Sequence, residues 1–149
     1  MSLFEQINKD IKAAMLAKEK PKLEALRAVK AAFLVAKTEK GAQEELSPEK
    51  EIAVIQKLVK QRNDSADIFK QNDRPELAEK EAKEAEFIAV YLPQQMTEDE
   101  IKAALAVIIE QTGASSMKDM GKVMGIASKQ MAGKADGKLI SVCVKALLA

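Results

Sequence analysis

Five lysines, Lys118, Lys122, Lys129, Lys134 and Lys138, crowd one stretch near the carboxy terminus. Ammonium groups so spaced can follow a nucleic-acid backbone, gaining affinity from counterion release while reading little of the base sequence. The same groups could equally form a solubilising face. No aromatic residue lies in the region, so stacking on single-stranded bases is not expected and a structured RNA read by its shape is the better fit. Interleaved with the lysines, Gly121 and Gly125 stand four apart, on one face of any helix they share, and Gly133 follows. Glycine inside a helix costs about 1 kcal/mol against alanine. Tight packing within a bundle is the expected reason for the pair, and close approach of a phosphate backbone is the other.

Other chemistries lack their residues. There is no histidine, which removes Ser-His-Asp and Cys-His triads and the commonest acid-base group at neutral pH. Gly121-Lys122 and Gly133-Lys134 have no second glycine at phosphate-loop spacing. A zinc site would need several clustered ligands, whereas Cys143 is the one cysteine and reads as a small hydrophobe in an apolar run. Glu76, Glu79, Glu81, Glu84 and Glu86, laced with Lys80 and Lys83, read as a solvated helical face rather than paired catalytic acids. No catalytic residue, metal or cofactor is expected.

The elements that would position the lysines are helices. Ser2 with Glu5 forms a capping box, starting a first helix over 3–18 that buries Phe4, Ile7, Ile11 and Met15. Pro21 suits the first turn of a second helix with Leu26, Val29, Phe33 and Ala36 inward, closed by Gly41. Ser47-Pro48 opens a third, whose stripe is Ile52, Ile55, Val59, Arg62, Ala66 and Phe69. Arg62 in that stripe either snorkels or pairs with an acid across the bundle. Arg74-Pro75 opens a fourth, ended by Leu92-Pro93.

Pro93-Gln94-Gln95-Met96 is the expected linker, dividing the chain into parts 1–94 and 95–149. Thr97 with Glu100 caps a fifth helix with Ile101, Leu105 and Ile108 inward, stopped by Gly113. Ser116 with Asp119 starts a sixth, Gly133 ends it, and Asp136 caps a seventh carrying Leu139, Cys143, Ala146 and Leu147. No alternating pattern persists long enough for a sheet. The fold expected is all-α, with a four-helix amino-terminal part and a small three-helix bundle.

Composition agrees. The 149 residues are 47% hydrophobic but only 3% aromatic, so the core draws on Ala, Leu, Ile, Val and Met. The 24 basic and 23 acidic residues nearly cancel, yet residues 111–149 hold six Lys and two Asp, a local net of +4. A lone thiol and an amino terminus without a signal-like run point to the reducing cytoplasm. No apolar run is long enough for a membrane span. A monomer is expected.

Gly121-Lys122-Val123-Met124-Gly125 followed by Gly133-Lys134-Ala135-Asp136-Gly137 resembles the tail-domain signature of the GatB/YqeY family. Upstream, Lys60-Gln61-Arg62 through Ser65 and Phe69, then Arg74 with Leu77, and Tyr91-Leu92-Pro93, resemble its free-standing YqeY-like members. Both halves match in order, over essentially the whole chain. Two positions depart: Asp73 stands where relatives tend to have glycine, and Gln130 where many have a basic residue.

The resemblance implies the same two-part helical fold. The related tail of the B subunit of tRNA-dependent amidotransferases contacts tRNA, so the resemblance implies tRNA as partner, with amidotransferase or aminoacyl-tRNA synthetase proteins beside it. Catalysis is not carried across, since the chain has neither the amidase subunit nor the kinase-like cradle. The leading expectation is a non-catalytic tRNA-binding accessory module using the five lysines. A subunit of a carbon-nitrogen ligase with glutamine as amido-nitrogen donor, or a helical protein-interaction module, are the alternatives.

Overall fold

The computed structural model describes residues 2–39 and 46–149. Among them the chain forms seven α-helices and one 3-10 turn, with no strand. It divides into two compact units, Met1–Leu92 and Pro93–Ala149.

In the first unit, α1 (Leu3–Leu16) starts at the expected capping box: the Ser2 hydroxyl accepts the Glu5 N–H, and the Glu5 carboxylate accepts the Ser2 N–H, both at 3.1 Å. Ile7 and Ala14 are buried, while Phe4 and Ile11 are half-buried. Met15, expected inside, is 52% exposed. From Ile11 the stripe advances three residues to Ala14, which leaves Met15 a further ~100° around the helix. The helix also ends sooner than expected, in a Schellman closure with Lys18 at φ 57°, whose N–H donates to Met15 C=O while that of Glu19 donates to Ala14 C=O.

The second helix, α2 (Lys20–Glu39), buries Leu26, Val29 and Phe33, with Ala36 half-buried. Gly41, the expected stop, lies outside the described residues. In α3 (Pro48–Gln71) the Ser47 hydroxyl accepts the Lys50 N–H at 3.3 Å and Pro48 occupies the first turn. Ile55 and Ala66 are buried; Ile52, Val59 and Phe69 are half-buried. The helix closes through Asp73 at φ 56°, with the Arg74 N–H on Phe69 C=O at 2.8 Å. At that left-handed closing position glycine would carry no Cβ penalty, whereas Asp73 does.

The fourth helix, α4 (Pro75–Ala89), packs along α3 and ends in a tight turn over 90–92, just ahead of Pro93. The core of this unit gathers Ile7, Leu26, Val29, Phe33, Ile55 and Ile88.

Three polar contacts tie the first unit's helices together. Glu51, only 2% exposed, accepts the Phe4 N–H at 2.8 Å, so a carboxylate from α3 caps the amino end of α1. Arg62 pairs with an acid: its Nε stands 3.4 Å from Glu84 Oε2, an ion pair without hydrogen-bond geometry, and Nη1 donates to Leu58 C=O at 3.5 Å. Glu84 is therefore not part of a wholly solvated face. The Tyr91 hydroxyl donates to Asp10 Oδ2. Burial, then that bond, then the Asp10 charge all push the phenol up from its ordinary value.

In the second unit, α5 (Glu98–Thr112) begins at the second capping box, the Thr97 hydroxyl accepting the Glu100 N–H at 3.2 Å. It buries Ile101, Leu105 and Ile108 and closes at Gly113, φ 70°. The expected sixth helix starts later than Ser116, because a 3-10 turn, Met117–Asp119, precedes α6 (Met120–Gln130). There Ser116 accepts the Lys118 N–H, and Asp119 accepts the Ser115 N–H at 3.1 Å. The chain then turns at Gly133 into α7 (Gly137–Leu148).

Cys143 is buried beside Ile140, Val144 and Leu148. Ala146 and Leu147, expected inside, are exposed. The buried side of α7 carries Ile140, Cys143, Val144 and Leu148; Ala146 points away from it, while Leu147, seven residues beyond Ile140, lies on that side but is exposed in the last turn. Every fully buried side chain of this core is apolar or the lone thiol.

Candidate nucleic-acid interface

The amphipathic period of α6 positions its part of the lysine cluster. Val123 and Ala127 are buried in the bundle. At 3.6 residues per turn the opposite side presents Gly121, Lys122, Gly125, Ser128 and Lys129, and all five are exposed. Lys118 is exposed in the preceding 3-10 turn, Lys134 in the turn after α6, and Lys138 in the first turn of α7. Thus three of the five belong to the outer side of α6 and its lead-in, while Lys134 and Lys138 mark the amino end of another helix. The amino end of the α7 dipole is positive as well, and the Asp136 carboxylate stands at the same end. Among the described residues no ion pair involves any of the five.

Packing within the bundle does not account for the two helical glycines. A Cβ built on Gly121 or Gly125 would meet nothing within 4 Å, so their bare backbone faces open space. The expectation of a packing role is corrected accordingly. Ser128, three residues beyond Gly125, continues the row of small residues, a continuation that the spacing of glycines alone does not reveal. Gly133 differs, since its φ of 77° makes it a turn glycine rather than a surface one.

The turn after α6 is held from the linker. Gln95 Nε2 donates to the carbonyls of Pro93 and Gly133, each at 2.8 Å, and the Met96 N–H donates to Lys134 C=O at 2.8 Å. The linker expected from composition thus contributes contacts that periodicity could not reveal, because they join segments far apart in sequence.

Among the described residues no group of three or more His, Cys, Asp or Glu stands together as a metal site, and no helix is long and apolar enough to cross a membrane. A cavity of about 210 Å³ in the first unit is lined by Phe4, Asn8, Lys37 and Glu51 among others. The Lys37 ammonium sits 4.6 Å from the Phe4 ring centroid there.

The chain is 33% identical over 132 residues to a protein of Clavispora lusitaniae named "Altered inheritance of mitochondria protein 41, mitochondrial", covering 87% of this chain and 74% of that one. The word mitochondrial belongs to that protein's name and is not carried to this chain. A family model described as Yqey-like protein matches residues 4–148. Spanning both units, that match means the chain belongs to the YqeY-like family.

Proposed function

We propose that the chain is a non-catalytic, cytoplasmic tRNA-binding module, with Lys118, Lys122, Lys129, Lys134 and Lys138 contacting phosphates and Gly121 and Gly125 letting the ribose-phosphate backbone approach α6. In this reading it consists of a four-helix domain, 1–94, and a three-helix domain, 95–149. It works beside amidotransferase or aminoacyl-tRNA synthetase proteins rather than performing amidation itself. The carrying observation is that, among the described residues, the exposed lysines of α6 and its lead-in make no ion pair and share a side with two glycines that have open space above them. Surface lysines alone are common, but helical glycine costs stability, and here no neighbour within the fold requires it.

The test is titration of labelled tRNA, and of an unstructured RNA of the same length, across ~50 to ~200 mM salt. Three to five phosphate contacts at a slope of about −0.9 each lower affinity roughly 40- to 500-fold over that range. Replacing Lys122, Lys134 and Lys138 by Glu should abolish salt-sensitive tRNA binding. Unchanged binding by that variant overturns the site, and no preference for tRNA over the unstructured RNA overturns the ligand.

A further inference from the structure

Gln95 occupies an exposed position in the short segment before α5, where a glutamine has no evident need to be ordered. Its amide is nevertheless engaged twice. One N–H satisfies Pro93 C=O, two residues back, and the other reaches 38 residues along the chain to Gly133 C=O, both at 2.8 Å. The next residue repeats the link with backbone, Met96 N–H to Lys134 C=O at 2.8 Å. Two consecutive carbonyls of the turn after α6 are therefore taken by two consecutive residues of the linker. Met131 and Ala135 anchor this turn in the apolar core, but the left-handed Gly133 and the exposed Lys134 between them have no side-chain packing there and keep backbone alternatives close in energy. The double link selects one of them. Lys134 stands in this turn, and Lys138 follows in the first turn of α7.

We infer that Gln95 is a positioning residue for RNA binding: by clamping Gly133 it fixes the direction in which the Lys134 ammonium, and with it the start of α7, meets the phosphate backbone. The inference rests on the proposed RNA-binding role of Lys134, but the clamp itself can be tested without RNA. Trypsin cleaves after Lys134, so the rate of cleavage at that bond, with amide exchange of Lys134 and Ala135, reports the order of the turn. One hydrogen bond of ordinary net strength corresponds to about a fivefold change in such a local equilibrium.

The full-length chain and its Gln95→Ala variant are compared in both assays. Cleavage and exchange should rise about fivefold at the turn while exchange in the middle of α5 stays unchanged. Affinity for total tRNA should fall by a similar factor in Gln95→Ala, and Gln95→Ala should have no further effect in a Lys134→Ala background, because the clamp acts through that lysine. Gln95→Glu, which removes the amide donors, should behave like alanine. Unaltered cleavage and exchange overturn the clamp whatever RNA does. A looser turn with unaltered tRNA affinity, or additive losses with Lys134→Ala, overturn the positioning role. If the parent chain itself binds no tRNA, the proposed function falls and the positioning role with it, while the exchange data still decide the clamp.

Discussion

Replacing Gly121 and Gly125 together by alanine should make the protein more stable and worse at binding tRNA. Neither glycine has a left-handed φ, and a Cβ at either meets nothing within 4 Å, so alanine fits without strain. Gly125 lies mid-helix, where the exchange gains about 1 kcal/mol; Gly121 is the second residue of α6, before full helical hydrogen bonding, and contributes about half as much. The sum, about 1.5 kcal/mol, corresponds to roughly 6–12 °C in midpoint for a domain of this size.

Two probes separate the units. Tyr91, the single tyrosine, lies in the first unit, so its fluorescence follows that unit while far-UV circular dichroism follows both. The late circular-dichroism transition should move upward and the tyrosine transition should stay. Two methyl groups on the row of small residues should push an approaching ribose-phosphate backbone away, lowering tRNA affinity about tenfold, equivalent to 1.4 kcal/mol. A lowered midpoint would refute the open space above the glycines. A raised midpoint with tRNA affinity unaltered within twofold would refute the backbone approach and leave the glycines without a role in binding.

Other perturbations test the fold that carries this surface. Glu51→Ala removes a buried, charged cap from α1 and should cost about 2–3 kcal/mol in urea denaturation followed by Tyr91 fluorescence; a cost under about 0.5 kcal/mol would mean that water replaces the carboxylate. Asp73→Gly relieves a left-handed residue at the close of α3 and should raise stability by up to about 1 kcal/mol in the same assay, whereas a loss would show that the Asp side chain compensates locally. Tyr91 has its phenol pK raised in the folded state, so its contribution is complete below the unfolded value near 10 and is lost as pH rises through the folded one. The difference in stability between the parent and Tyr91→Phe should therefore be constant from pH 7 to 9 and shrink at higher pH; a difference growing with alkalinity contradicts the assignment.

The sequence was most legible at helix starts. Ser2 with Glu5, Ser47 with Pro48, and Thr97 with Glu100 each predicted the first residue of a helix, because capping is a contact between near neighbours. Faces were legible only to within a residue. Met15 reads as core yet stands ~100° from Ala14, which packs instead; Ala146 lies well away from the buried side of α7, and Leu147 shares that side with Ile140 but is exposed in the helix's last turn. The lysines were legible by type but not by grouping, since three follow α6 and its lead-in while two depend on how the next turn closes. The contacts of Glu51, Gln95 and Tyr91 were illegible, because periodicity describes a helix's own face and says nothing about which distant backbone group reaches it.

The two units differ in how they use charge, and the difference bears on the proposed interface. In the first unit the buried or half-buried polar groups are engaged with other helices: Glu51 with the amino end of α1, Arg62 with Glu84, Asp10 with Tyr91. Such contacts are costly to break and help select one packing of four helices from several similar ones. The second unit has no buried charge to satisfy, since its core is apolar throughout. Its five clustered lysines therefore contribute little to folding, and their mutual repulsion at low salt slightly opposes it. A polyanion would relieve that repulsion on binding. In the proposed function it is the local net of +4 over residues 111–149, within a unit whose whole net charge is +1, that the phosphates neutralise, with the apolar core supplying the rigidity that lets a helix tolerate two glycines on its outer side.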